Sequence, residues 1–269
     1  MIKLLAVVLS LSLSGMCQLA FPAFGSVSSG SSSIPSSGLQ LWYRGDNLTC
    51  TGGCSGTNTV TSLNDLSSNA NNCTAAGTTI KYAASAVNSK PGFTFDGSSL
   101  SYCSFSSIAW NGGGTSFVVV AFSATNHEDD MISGVTQAFA HGGCRQTSGG
   151  IEQYAGSENV AYLGHGTAAC DTSYHQLGVT FCDAVVTNCT GGGSASNNLQ
   201  FYIASTTDGS ASTVTGSQSF NNNSTFGKAA VNASAFLTGT VTEIIFYNRV
   251  LSSSEISTVQ AYLHGRYGT

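Results

Sequence analysis

The chain has 269 residues, 41% of them hydrophobic, which is enough to bury a sizeable core and excludes disorder by composition. Only 8% are charged, against a typical ~25%, which argues against coiled coils and long ion-paired helices. The net charge is −5 and the eight Lys and Arg stand singly, so no basic patch for nucleic acid is present.

The first 25 residues read as an export signal. Lys3 supplies a positive start, residues 4–13 an apolar stretch, and Ala23-Phe24-Gly25 a small-residue cleavage site. The apolar stretch is too short to span a bilayer; an uncleaved N-terminal anchor is the competing reading. Cys17 follows Met16 rather than a small residue, which argues against lipidation. Residues 26–38 are Ser-rich and read as a flexible linker. One domain is expected from 39 to 269.

Strand signals follow at 39–43 (LQLWY), 93–95, 116–122 (SFVVVAF), 175–181 (HQLGVTF), 199–204 (LQFYIA) and 241–247 (VTEIIFY). They are rich in β-branched and aromatic residues and separated by Gly, Ser, Asn and Asp clusters. Strands without helical crossovers predict an all-β fold, an antiparallel two-sheet jelly-roll sandwich. A further hairpin is expected to turn at 156–158, between strands 150–154 and 159–163. One short helix is predicted at the C-terminus. Ser252 and Glu255 form a capping box, Ile256, Val259 and Leu263 make one apolar face, and Gly265 is the expected C-terminal cap.

Nine cysteines become eight when the signal is removed, and an even count in an exported chain suggests four disulfides. The hairpin would set Cys144 against Cys170, and Cys182 and Cys189 bracket a short insert. Cys50 with Cys54 and Cys73 with Cys103 is one pairing of the remaining four. Cys-x3-Cys without a second close pair makes a poor zinc site.

Residues 239–268, GTVTEIIFYNRVLSSSEISTVQAYLHGRYG, resemble the closing segment of the LamG-like jelly-roll family, in the concanavalin A-like lectin/glucanase superfamily. The counterparts are Glu243, Tyr247-Asn248-Arg249, Leu251-Ser252, Glu255, Tyr262-Leu263 and Arg266-Tyr267-Gly268. Leu41-Trp42-Tyr43 is similar to the family's opening strand, residues 63–71 (LNDLSSNAN) to its Asp-Ser-Asn loop, and Phe95-Asp96-Gly97 to its Phe-Asp-Gly turn. Residues 127–171 match nothing in the family.

The resemblance implies either binding or glycoside hydrolysis. Retaining hydrolysis needs two carboxylates about 5–5.5 Å apart. The nearest string, residues 128–133 (EDDMIS), has Ser133 where the family's second Glu would stand. The five histidines show no metal spacing and there is no Gly-x-Ser-x-Gly elbow. A Ca²⁺ site, common in the superfamily, is expected at Glu128, Asp129 and Asp130, the chain's one acidic cluster; a solvated loop is the competing reading. Trp110 beside Asn111, with Tyr154 and Tyr162, are the candidate sugar platforms, against core or strand-edge packing. Trp42 is expected in the core, and Asp65 and Asp96 as turn residues. The reading is a secreted, extracellular, cell-surface or periplasmic lectin-like domain that binds a glycan or cell-surface ligand without spanning a membrane. A polysaccharide-degrading glycosidase and a structural or adhesive surface or virion protein are the alternatives.

Overall fold

The computed structural model describes residues 33–106, 108, 113–123, 132–133, 138–144, 151–156, 162–165, 171–182, 199–212, 224–228 and 236–269. Residues 33–269 belong to one packed unit; residues 1–32, which carry the expected export signal, lie outside the described residues. In chain order the strands are β1 (Leu39–Arg44), β2 (Leu48–Cys50), β3 (Val60–Leu63), β4 (Cys73–Ala75), β5 (Lys81–Val87), β6 (Lys90–Asp96), β7 (Cys103–Phe105), β8 (Gly113–Phe122) and β9 (Ile132–Ser133). Then come β10 (Ala138–Cys144), β11 (Ile151–Gly156), β12 (Tyr162–His165), β13 (His175–Cys182), β14 (Leu199–Ile203), β15 (Thr206–Ser212), β16 (Ser224–Phe226), β17 (Thr238–Tyr247) and the helix α1 (Ser253–Tyr267). Among the described residues no helix is long and apolar enough to cross a membrane.

Two antiparallel sheets make a β-sandwich. The larger runs β15-β14-β13-β8-β17-β6-β5, with β1 also on β17; the smaller runs β2-β3-β4-β7-β16-β9. Along one edge of β17, β6 pairs with Thr238 to Val241 and β1 with Glu243 to Tyr247. A third sheet runs β10-β11-β12, with β11 and β12 pairing antiparallel where the sequence predicts a hairpin; residues 157–161 between them lie outside the described residues.

The large sheet is apolar on both faces, and β8 shows why. Val118, Val120 and Phe122 enter the core between the sheets, while Phe117 and Val119 enter a second core beneath α1. A strand covered on both sides reads as a continuous apolar run, here SFVVVAF. Sheet-on-sheet packing is therefore only half of the architecture, because α1 closes the other face. Ile256, Val259, Leu263 and Tyr267 form its buried stripe. Ile34 joins the same layer at 7% exposure, inside the stretch that composition assigned to the linker.

The capping box is present: the Ser252 side chain accepts from Glu255 N, and the Glu255 carboxylate accepts from Ser252 N. The helix does not stop at Gly265. It continues to Tyr267, which is 2% exposed, and ends on Gly268 in the left-handed region at φ 75°. Burying Tyr267 outweighs the roughly 1 kcal/mol cost of a helical glycine.

Candidate functional site

The carboxylate at the centre of the family-like residues is Glu243. It is the one charged residue of β17, followed by the apolar run Ile244 to Tyr247, and a bulge sets its direction. Val241 pairs with Val120 and Glu243 with Val119, leaving Thr242 as the extra residue. The bulge reverses the alternation, so Val241 faces the inter-sheet core while Glu243 faces α1. Trp42 Nε1 donates to its Oε1 at 2.5 Å and Tyr262 OH to the same oxygen at 2.9 Å. Tyr267 OH donates to Oε2 at 2.6 Å, and Arg266 Nε lies 3.7 Å from that oxygen. Glu243 is 0% exposed. Burial pushes its carboxyl above the usual Glu range, opposed by the hydrogen bonds from Tyr267, Trp42 and Tyr262.

Around this hub β1, β17 and α1 are tied together. Trp42 comes from β1 and the tyrosines from α1, with the Trp42 and Tyr262 rings edge-on at 6.1 Å. Arg44 and Arg266 both pair with Asp46. Trp42 is thus not in the inter-sheet core. It is half-buried at the helix layer, because its indole N–H needs a polar partner and Glu243 provides one. Both Glu243 oxygens are occupied and sealed from solvent, so the hub can hold three chain segments in place and has no route to a substrate.

Asp65 organises the 64–72 loop. Its Oδ1 accepts from Trp42 N and Ser67 N, both at 2.9 Å, and its Oδ2 from Ser67 Oγ at 2.5 Å and Asn71 N at 2.9 Å. Asp96 Oδ1 accepts from Ser98 N at 3.0 Å. Both act as turn residues.

The sequence candidates are distributed as follows. Trp110, Asn111, Glu128, Asp129, Asp130, Cys170 and Cys189 lie outside the described residues. Tyr154 and Tyr162 are register partners on β11 and β12, next to the Glu152 and His165 pair. Cys144 sits on β10 opposite Ile151, and Cys182 ends β13 opposite Gly113. Cys50 is joined to Cys54 and Cys73 to Cys103. Among the described residues, no group of three His, Cys, Asp or Glu side chains is placed to hold a metal ion.

The feature that sequence reading missed is the outer face of the small sheet. Register runs unbroken across all six strands: Thr49 opposite Ser62, Ser62 opposite Thr74, Thr74 opposite Ser104, Ser104 opposite Thr225, and Thr225 opposite Ser133. Neighbours along these strands turn the other way: Leu63, Cys73, Cys103, Phe105 and Phe226 enter the core. The result is a row of hydroxyl residues about 24 Å long, from five steps of about 4.8 Å. Thr49 and Thr74 are exposed, Ser62 and Ser104 half-buried, and Thr225 is buried. Thr225 is spent on Lys228 O at 2.9 Å, and Thr49 exchanges hydrogen bonds with the Asn64 side chain. The hydroxyls of Ser62, Thr74 and Ser104 have no partner among the described residues. The only available signal was the triplet pattern Cys-Thr-Ala, Cys-Ser-Phe and Ser-Thr-Phe, each shorter than a recognisable strand.

No family model matches the chain, and no curated protein matches it. Solved structures do. Domain 4 of AbnA, a GH43 extracellular arabinanase from Geobacillus stearothermophilus in complex with arabinotriose, aligns with a TM-score of 0.52 at 13% identity, over 82% of this chain and 98% of that one. The binding domain of Paraclostridial Mosquitocidal Protein 1 aligns with a TM-score of 0.57 at 12% identity, over 83% of this chain and 52% of that one. Trypanosoma rangeli sialidase aligns with a TM-score of 0.50 at 14% identity, over 87% of this chain. This chain thus spans about half of the toxin domain and 34% of the sialidase. These likenesses establish a β-sandwich.

Proposed function

We propose that this chain is a secreted, LamG-like domain that binds a glycan or other surface ligand without chemistry. The observation that carries the reading is the outward-facing hydroxyl surface at Thr49, Ser62, Thr74 and Ser104, which is uncharged and suits recognition of polar, neutral partners. The family-like residues Trp42, Glu243, Tyr262, Arg266 and Tyr267 converge on one structural hub, which supports the LamG-like assignment. The neighbour aligned over nearly its whole length was solved with arabinotriose, which supports a carbohydrate ligand. Two disulfides fit an oxidising compartment. Binding is favoured over hydrolysis because Glu243 is sealed and the 128–133 string lacks the second Glu that a paired-carboxylate mechanism needs.

The test is to pass the purified domain over a panel of immobilised polysaccharides while assaying for released reducing ends. Retention on at least one polymer with no product is the expected result. Product release would replace the reading with the glycosidase one, and retention on none would replace it with a scaffold or protein-adhesion role.

A further inference from the structure

We propose that the bridge between Cys50 and Cys54 is a surface site of thiol–disulfide exchange, opened by low-molecular-weight thiols at Cys54 and closed again by Cys50. The proposal is independent of the ligand reading above.

The two bridges among the described residues differ in reach. Cys73 and Cys103 are both 0% exposed and sit in the core between the sheets. Cys54 is exposed, as are residues 51–57 around it. A Cβ placed on Gly53 or Gly56, on either side of Cys54, would meet nothing within 4 Å. Cys50, at the end of β2, is half-buried and packs against the core. Exchange begins when a thiolate attacks one sulfur of the bridge, so access decides which bridge reacts. Of these four cysteines only Cys54 is exposed. Charge does not bar the approach either. Residues 47–64 contain no Asp or Glu, and Lys81 Nζ, bonded to Thr59 Oγ1 at 2.9 Å, places a cation at the foot of the loop.

The loop has hydrogen bonds of its own that do not depend on the bridge. Gly53 N donates to Cys50 O at 3.1 Å, Thr51 N to Thr59 O at 2.9 Å and Asn58 N to Ser55 O at 3.1 Å. The Asn58 side chain donates to Gly53 O at 2.8 Å, and Asn58 O accepts from Tyr82 N at 2.9 Å, which ties this clamp to β5. When the bridge opens, Leu48 O, 3.6 Å from Cys54 Sγ, is an acceptor for the new thiol. The two Cα atoms, 5.0 Å apart, are thereby kept within bridging distance. A span of 4 residues also constrains the unfolded chain less than the span of 30 closed by Cys73 and Cys103. An accessible bridge that holds little and is set to re-form is an exchangeable disulfide.

The steps balance with a small thiol as the reductant. Its thiolate bonds to Cys54 Sγ as the S–S bond breaks, and the electron pair leaves on Cys50 Sγ, which takes up a proton. The product is a mixed disulfide at Cys54 beside a free thiol at Cys50. From there two routes open. The Cys50 thiolate attacks Cys54 Sγ and expels the small thiol, which restores the bridge. Alternatively, a second small thiolate attacks the small-thiol sulfur, releasing the oxidised small disulfide and leaving both cysteines reduced. Two small thiols are then oxidised for one bridge reduced.

The experiment is a titration of the folded protein with 2-mercaptoethanol, quenched with N-ethylmaleimide. Mass spectrometry locates each labelled cysteine, and circular dichroism follows the fold. Cys50 and Cys54 should be labelled at a thiol concentration about tenfold or more below that needed for Cys73 and Cys103, with the dichroism unchanged. Cys50→Ser removes the thiol that closes the bridge, so it should keep 2-mercaptoethanol as a mixed disulfide on Cys54 after the excess is washed out, where the wild type does not. Cys54→Ser should keep much less, because Cys50 is half-buried. Labelling of Cys73 and Cys103 at the same concentration as Cys50 and Cys54 would overturn the proposal, as would labelling of all four only when the fold is lost. Equal retention of the small thiol by the wild type and Cys50→Ser would overturn the role of Cys50. Should either variant fail to fold, the wild-type titration decides alone.

Discussion

The two sheets turn very different outer faces to their surroundings. That of the large sheet is apolar, carries Phe117, Val119, Ile245 and Tyr247, and is closed by α1. That of the small sheet is a row of hydroxyls. The difference lies in alternation. In β8 and β17 both parities are apolar, so each face demands cover. In β4 and β7 the inward parity is Cys, Ala or Phe and the other is Ser or Thr, so cover is needed only inward. The buried carboxylate of Glu243 sits on the covered side and fastens the cover. The covered face holds the fold together, and the other turns Thr49, Ser62, Thr74 and Ser104 outward.

That contrast can be broken from the covered side first. Glu243→Ala would leave Trp42 Nε1 and the Tyr262 and Tyr267 hydroxyls without their acceptor, and should cost about 3–5 kcal/mol in urea unfolding, with α1 losing its seat. Replacing Cys73 and Cys103 by Ala should cost about 3–4 kcal/mol, and replacing Cys50 and Cys54 only about 2, since the first bridge closes a span of 30 residues and the second one of 4. Gly45→Ala should cost about 1–3 kcal/mol, because a Cβ there would meet Pro91 O at 2.1 Å where β1 gives way to β6 along β17.

The helix start gives a pH signature. Two hydrogen bonds from the Arg249 guanidinium hold the Glu255 carboxyl down to about 2, from an ordinary 4.5. A depressed carboxyl contributes stability that is present above about pH 4.5 and lost as pH falls toward 2. Glu255→Gln should therefore flatten that part of the stability–pH curve in thermal melts and leave the curve above pH 5 nearly parallel to the wild type. The smallest effect belongs to the open face: Thr74→Val should change stability by less than about 0.5 kcal/mol, as a surface substitution in an unchanged strand. A large loss there would mean that the row is structural.

Much of the covered half could be read from sequence, because its signals are long. The run at β8, the capping box at Ser252 and Glu255, and the stripe Ile256, Val259 and Leu263 each extend over a turn or more. The residues around Glu243 were visible only as a resemblance. Their convergence was hidden, since it depends on a one-residue bulge at Thr242 and on Tyr267 extending the helix past Gly265. The open half was illegible for the opposite reason. Strands of three residues carry too little alternation to register, and a row such as Ser62, Thr74, Ser104 and Thr225 exists only once pairing has aligned it. The platforms and acidic cluster proposed from sequence at Trp110, Asn111, Glu128, Asp129 and Asp130 fall outside the described residues.

The most direct measurement of where ligand sits is backbone amide chemical-shift mapping of the domain titrated with a neutral oligosaccharide taken from the polymer that retains it. The account predicts shifts concentrated at Thr49, Ser62, Thr74 and Ser104, with Glu243, Tyr262 and Tyr267 unmoved. Shifts confined to residues 110–111, 128–130 or 151–165, with the hydroxyl row silent, would contradict it.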